Sequence, residues 1–248
     1  MFEKRSEKLE RIDTGDYTPE EYDRFLDDIR KVNRYAGDSR ALKNSLIRAL
    51  RSSSGNSFRI LDVGAGSGEL LRQIARYGRK AGKKAELAGI ELNERSARSI
   101  LLESSGFPEI FAVRGDAVHL PFPDGTFDFV ISSLFAHHLT DRQIICALRE
   151  MKRVCTREIF LIDLHRHPFA LAAYKVFCIA FGISQLVRQD GSLSILRGFK
   201  AGELLELANA AGPEEADVER SFPFRLVLRI NLRESVDRVF PRASPDAP

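Results

Sequence analysis

The period of the apolar positions changes near residue 56. Upstream, Tyr22, Phe25, Leu26 and Ile29, then Tyr35, then Leu42, Leu46, Ile47 and Leu50 fall close to the i, i+3, i+4, i+7 spacing of helices with one buried face. Thr18-Pro19-Glu20-Glu21 supplies a helix start, with Thr18 as N-cap, Pro19 at the first position and Glu21 at the third. Residues 1–54 therefore read as a helical arm. The stretch Ser52-Ser53-Ser54-Gly55-Asn56-Ser57 is a polar linker and marks the boundary.

Downstream, short apolar strands alternate with helices. Strands are expected at Phe58–Val63, Ala85–Glu91, Ile110–Arg114, Phe127–Ser133 and Glu158–Leu164, and helices over 67–78, 93–104 and 139–152. A repeated strand–helix unit argues for a parallel sheet covered by helices on both faces. The rhythm then breaks. Pro168–Ile183 reads as a helix apolar over most of its surface, Asp190-Gly191 as a turn, and Lys200–Ala211 as an amphipathic helix stopped by Gly212-Pro213. Val218–Phe222 and Phe224–Ile230 read as two last strands joined through Pro223. The expected organisation is an arm (1–54), a main domain (55–235) with a cap inserted at 165–197, and a tail (236–248), disordered from Pro241.

Composition narrows the class. With 38 Lys+Arg against 35 Asp+Glu, the charge of +3 gives no basic field that would argue for nucleic acid. Cys146, Cys155 and Cys178 form no CxxC pair, which leaves no disulfide framework or structural zinc motif. The charged opening MFEKRSEKLERID has no apolar core of a signal peptide, and no run reaches the ~20 apolar residues of a bilayer span. A cytoplasmic protein is expected.

Three segments carry candidate chemistry. Ile60-Leu61-Asp62-Val63-Gly64-Ala65-Gly66-Ser67-Gly68 is a strand ending in GxGxG that opens a helix, so a ligand can approach bare backbone and free N–H groups. The spacing is not that of the dinucleotide fingerprint, because position 69 is Glu. Glu91 closes the second strand, where a carboxylate can accept both ribose hydroxyls of a nucleoside. Gly115-Asp116-Ala117 follows the third strand. The acid there can accept from an exocyclic amine, and Ala117 and Val118 offer a purine an apolar contact. Each also has a plain structural reading: a tight turn, a helix-start acid, a turn residue.

Together with Leu120-Pro121-Phe122-Pro123-Asp124-Gly125-Thr126-Phe127-Asp128 and His137-His138-Leu139, these segments closely resemble the class I S-adenosylmethionine-dependent methyltransferases. Within them the chain is most similar to the small-molecule branch that includes the ubiquinone and menaquinone methylases. The resemblance covers residues 58 to 140. It implies a Rossmann-like, seven-stranded, mostly parallel α/β sheet whose last strand is antiparallel. It also implies S-adenosylmethionine lying across Gly64, Gly66, Glu91, Asp116 and Ala117, in a wider set with Asp62, Ala65, Gly68, Leu92 and Ser133.

Methyl transfer to a protonated acceptor atom calls for a base. His137 and His138 follow the fourth strand at the carboxyl edge of the sheet, and Asp163, His165, Arg166 and His167 end the fifth. His138 and His165 rank first as bases, although one of the paired histidines commonly packs under a helix in this family. His165 and His167 have the HxH spacing of a metal pair but no carboxylate at suitable spacing, so no metal is expected. No Asn/Asp-Pro-Pro-Tyr/Phe follows the fourth strand, unlike methylases of DNA bases or glutamine amides. No Pro-Cys nucleophile stands there, and no acid such as the magnesium-dependent catechol methylases need.

The expectation is a metal-independent O- or C-methyltransferase of secondary metabolism. Its acceptor would be small and hydrophobic: phenolic, quinone or polyketide-like. Phe169, Leu171, Val176, Phe177, Ile179, Phe181 and Ile183 would wall the acceptor's place, and 168–187, flanked by Lys175 and Arg188, is a candidate for peripheral membrane contact. The alternative on the same scaffold binds the same cofactor but catalyses a non-methylating reaction such as a cyclisation.

Overall fold

Alternation after residue 56 is realised as one seven-stranded sheet. The computed structural model describes residues 2–35, 37–212 and 214–232, with the side chains of residues 22, 23, 26, 30, 33 and 34 left aside. The arm holds α1 (Arg11–Thr14) and α2 (Pro19–Tyr35). A continuous run follows, of α3 (Asp38–Leu42), a π-helical turn (Lys43–Ile47) and α4 (Arg48–Ser52). The cap of α2 is as read: the Thr18 N–H donates to Glu21 Oε2 (3.0 Å), and the Glu21 N–H to Thr18 Oγ1 (3.2 Å).

β1 (Ser57–Val63), α5 (Glu69–Ala81), β2 (Lys84–Glu91), α6 (Glu94–Glu103) and β3 (Ile110–Arg114) form the first half of the sheet. β4 (Phe127–Ser133), a 3₁₀ turn (Ala136–His138), α7 (Asp141–Val154) and β5 (Cys155–Leu164) form the second. Then come α8 (Pro168–Ala180), α9 (Gln185–Arg197), α10 (Ala201–Ala210) and the hairpin β6 (Glu215–Ser221) and β7 (Arg225–Asn231). The strand order is β3-β2-β1-β4-β5-β7-β6, and β7 runs antiparallel to both its neighbours. The order reverses between β1 and β4, the switch point at which open α/β sheets bind ligands beyond their carboxyl ends.

Because side chains alternate along a strand, β1 feeds two cores. Leu61 and Val63 pack with Ile144, Leu148 and Met151 of α7 and Leu204 and Leu207 of α10. Phe58 and Ile60 pack on the other face with Leu71 and Ile74 of α5, Ile100 of α6, and Leu42, Leu46 and Leu50 of the arm. The end of the arm is thus part of the main core. Among the described residues no helix is long and apolar enough to cross a membrane.

The structure corrects several expectations. Asp190-Gly191 is not a turn but lies within α9. Asp190 is buried and accepts the N–H groups of Arg11 and Ile12, both at 2.9 Å, at the start of α1. A Cβ at Gly191 would fall 2.1 Å from the Tyr174 hydroxyl. The apolar helix stops at Ala180 rather than Ile183, because Gly182 takes a positive φ and the Ile183 N–H turns back to the Cys178 carbonyl (3.0 Å). The strand into the hairpin starts earlier than expected, at Glu215. Only Leu171 and Ile183 of the expected apolar wall are buried; Phe169, Val176, Ile179 and Phe181 are exposed. Pro213, the tail 236–248 and the domain end at 235 lie outside the described residues, as do the side chains of Tyr22 and Leu26.

Candidate functional site

The glycine loop leaves β1 by hydrogen-bonding back to β2: the Gly64 and Ala65 N–H groups donate to the Ile90 carbonyl at 3.0 and 3.3 Å. Gly64 has φ +72°, and a Cβ there would lie 2.4 Å from the Phe135 ring, so the residue can only be glycine. Gly66, at φ +57°, is different: a Cβ would meet no atom within 4 Å. Its backbone faces outward, and its N–H donates to Glu91 Oε1 at 2.6 Å. Gly68 precedes α5, which therefore starts at Glu69, two residues later than the periodicity suggests.

Two acids sit below this loop. Burial raises the Glu91 pKa above its ordinary value, although the Gly66 and Leu92 N–H groups oppose the shift. Asp62 is buried, and burial, with Glu91 nearby, pushes its carboxyl up to about 8. Asp62 Oδ1 is buried with no hydrogen-bond partner. Ser133 ends β4 half-buried, and Leu92 is exposed. The next loop is tied in because the Gly115 N–H donates to the Glu91 carbonyl (2.9 Å). Asp116 there is exposed and accepts the Val118 N–H (3.0 Å), while Ala117 is buried. The expected cofactor set is therefore gathered on the carboxyl ends of β1 to β4.

Beyond β4 and β5 lies a second group. His137 is buried, with Nδ1 2.7 Å from Asp163 Oδ1 and its backbone N–H donating to Asp163 Oδ2 (3.2 Å). Burial alone would raise the Asp163 pKa, but the His137 ring and the Leu164 and His137 N–H groups hold it below the ordinary value. A carboxylate facing Nδ1 assigns a proton to that nitrogen and turns Nε2 away from Asp163. His138 is half-buried, with Nδ1 3.0 Å from Asp13 Oδ2. Burial lowers its pKa, but the carboxylates of Asp13, Glu10 and Asp163 outweigh that and leave it raised.

Asp13 and Glu10 were not foreseen. They come from the charged N-terminal segment, which crosses the carboxyl edge of the sheet on polar ties. Arg5 donates to Asp141 (2.5 Å) and the Leu139 carbonyl (3.0 Å). Arg197 donates to the carbonyls of His137, His138 and Lys8. Glu10 is buried, and burial raises its pKa against the pull of His138 and His137. Segment 2–10 has no apolar period, so nothing in its sequence announces this placement.

The other expected catalytic residues stand apart. Arg166 is buried and spends all its donors on Glu203, the Gly198 carbonyl and the carbonyls of Phe2 and Glu3. It is a structural tie with no donor left for a substrate. His167 caps α8 by accepting the Phe169 N–H (3.2 Å). His165 has its pKa lowered by burial and by the neighbouring Arg220, His167 and Arg166.

Residues 60–158 match the methyltransferase-domain family. Over 99 residues the chain is 36% identical to the ubiquinone/menaquinone biosynthesis C-methyltransferase UbiE of Caulobacter vibrioides, covering 38% of each chain. Over 155 residues it is 28% identical to UbiE of Coxiella burnetii, covering 61% of this chain and 59% of the relative. The chain thus spans less than two thirds of the length of these relatives. Among solved structures, the plantazolicin methyltransferase BamL in complex with a triazolic desmethylPZN analog and SAH superposes with a TM-score of 0.65 at 14% identity, over 87% of this chain and 91% of that one. A SAM-dependent methyltransferase from Aquifex aeolicus gives 0.56 at 17%, over 76% and 89%. At such identities the likeness is one of fold.

Proposed function

We propose, for a chain whose residues 60–158 match the methyltransferase-domain family within a seven-stranded sheet, that it moves the methyl group of S-adenosylmethionine to an oxygen or carbon atom of a small, lipophilic acceptor. The observation that carries this reading is the outward-facing backbone at Gly66, held by Glu91 at the switch point over an unpartnered Asp62 oxygen. These groups fit the cofactor: bare peptide for its amino-acid portion and carboxylates for its hydroxyl and amine donors.

When bound, the cofactor supplies a methyl group on a sulfonium, a good leaving group. Much of the acceleration then comes from proximity and alignment. In this reading Glu91 accepts the ribose hydroxyls, Asp116 accepts from the adenine amine, and Ala117 gives the base an apolar contact. Gly64, Ala65, Gly66 and Gly68 let the ligand approach backbone, with Asp62, Leu92 and Ser133 completing the lining. Where the acceptor atom carries a proton, His138 Nε2 takes it, and Asp13 holds the ring by Nδ1. Asp163 and His137 brace the turn that presents it.

A quinone-like or phenolic acceptor is supported by two observations. The relatives named above are ubiquinone/menaquinone methylases. The outer face of α8 also exposes Phe169, Val176 and Ile179, next to the exposed Lys175 and Arg188, which suits a cytoplasmic enzyme touching a membrane surface through 168–187.

Titration calorimetry with S-adenosylmethionine and S-adenosylhomocysteine tests the core of the proposal. The folded protein is expected to bind both, Gly66→Ala to bind neither, and Glu91→Ala to lose roughly 1–3 kcal/mol, the worth of hydrogen bonds to a charged group. Absence of binding by the folded parent protein would overturn the reading. Release of S-adenosylhomocysteine with phenolic or quinone acceptors then separates methyl transfer from cofactor binding alone.

A further inference from the structure

Glu10, like Asp62, is a buried acid with an oxygen that no hydrogen bond satisfies. Its exposure is 3%, and that oxygen is Oε1. The nearest cation, Arg197, has its Nε 3.8 Å from that oxygen but donates to the carbonyls of His137, Lys8 and His138 instead. On the other side stands His137 Nε2, 3.9 Å away. A ring nitrogen of His137, one of His138 and a Glu10 oxygen all lie within 4.8 Å of one another. Chain order hides the set, since Glu10 is brought to the two histidines only by the crossing of the N-terminal segment.

We infer that Glu10, His137 and His138 form a binding site for a first-row divalent cation of the zinc type. Two imidazoles and one carboxylate are a ligand set that such ions take in sites with an open fourth position. The geometry needs little adjustment: ligands about 2.1 Å from a tetrahedral ion sit about 3.4 Å apart, so the atoms close by roughly an ångström. The outer shell is already built. Asp163 Oδ1 lies 2.7 Å from His137 Nδ1, the carboxylate–histidine arrangement that fixes the tautomer and aims Nε2 at an ion. Asp13 does the same for His138 Nδ1 at 3.0 Å. Charge favours a cation as well. Three carboxylates, Glu10, Asp13 and Asp163, converge here against two guanidiniums, Arg197 and Arg5, and Arg5 is shared with Asp141.

A bound ion would pin the N-terminal segment across the carboxyl edge and leave one coordination position for an oxygen of a small molecule. The inference does not depend on the methyl-transfer reading. It competes with one part of it, because an ion at His138 takes the lone pair that would otherwise take a proton.

The test uses the full chain stripped with EDTA and titrated with Zn²⁺ against a chromophoric chelator, and separately with Co²⁺ followed by visible absorption. One equivalent of Zn²⁺ is expected, together with the intense visible bands of tetrahedral Co²⁺. Glu10→Gln, nearly isosteric and checked for folding by circular dichroism, should weaken Zn²⁺ at least about tenfold. Asp163→Asn should weaken it by about 10–100-fold, as loss of an outer-shell partner does. His165→Ala should leave it unchanged. A folded parent protein that binds no Zn²⁺ would overturn the inference. So would Zn²⁺ binding indifferent to Glu10→Gln, or binding lost in His165→Ala, which would place the ion at the other histidines.

Discussion

At the scale of single residues, Asp62 is held in a state its sequence position does not disclose. The motif places an acid one residue before Val63 and the glycine loop, but only packing shows that the acid is fully enclosed with one oxygen unpartnered. Its carboxyl is pushed from 3.8 to about 8, so the folded protein keeps a proton that the unfolded chain gives up. The stability this proton brings is complete below pH ~4 and is lost as the pH rises through about 8. Asp62→Asn carries no such dependence. The stability of the variant should therefore gain on the parent between pH 5 and pH 8.5 by a few kcal/mol, at about 1.4 kcal/mol per pH unit below the folded pKa. Scanning calorimetry at the two pH values reads the change, and a constant difference would show that Asp62 ionises freely. The placement of the neighbouring acid, Glu91, was legible: it ends β2, beside β1. Glu10 and Asp13 were not, because what places them is a set of hydrogen bonds to residues more than a hundred positions away.

Among the elements, legibility followed the range of the forces at work. β3 and β4 begin and end where the sequence pattern places them: β4, inside the sheet, is buried along most of its length, whereas β3 is an edge strand with Phe111 exposed. Asp190-Gly191 misled because an Asp-Gly pair is a local turn signal, whereas both residues answer to distant partners. Asp190 caps α1, and Gly191 makes room for Tyr174, whose hydroxyl donates to the Val187 carbonyl at 2.6 Å. This gives a prediction with a definite sign. An unencumbered glycine inside a helix is improved by alanine by about 1 kcal/mol. At Gly191 the added methyl meets the Tyr174 hydroxyl at 2.1 Å, so Gly191→Ala should instead destabilise by about 1–3 kcal/mol, the usual cost of overpacking. Denaturant unfolding of the variant decides the matter: a gain in stability would mean that α8 and α9 are not packed through this contact.

On the scale of the whole molecule, the sheet and its two cores form a frame, and the N-terminal segment is laid over it chiefly by polar ties, with Phe2 packed against Ala170, Leu171 and Ile195 outside those cores. The frame was readable because its information is repeated in every strand and in the glycine motif. The strap was not, because it has no apolar period and its partners are dispersed: Leu139 and Asp141, Asp190, Leu196, Arg197 and Arg166. This difference in construction predicts a difference in response. Removing residues 2–14 leaves both core clusters of the sheet complete, since none of their residues lies in that segment. It strips partners from Arg166, Arg197 and Asp190, all buried, and each unsatisfied charged group costs about 1–3 kcal/mol, less than additively. The truncated protein should keep the far-ultraviolet circular dichroism of its sheet and melt at a lower temperature. Its amide exchange should be regional: Ala136–His138 and the second half of α9, from Asp190 to Arg197, should lose protection by an order of magnitude or more, while β1 and β4 keep theirs. Uniform loss of protection would mean that the segment is part of the cooperative frame. Unchanged protection at Ala136–His138 would mean that the turn bearing the histidines holds its shape without the strap.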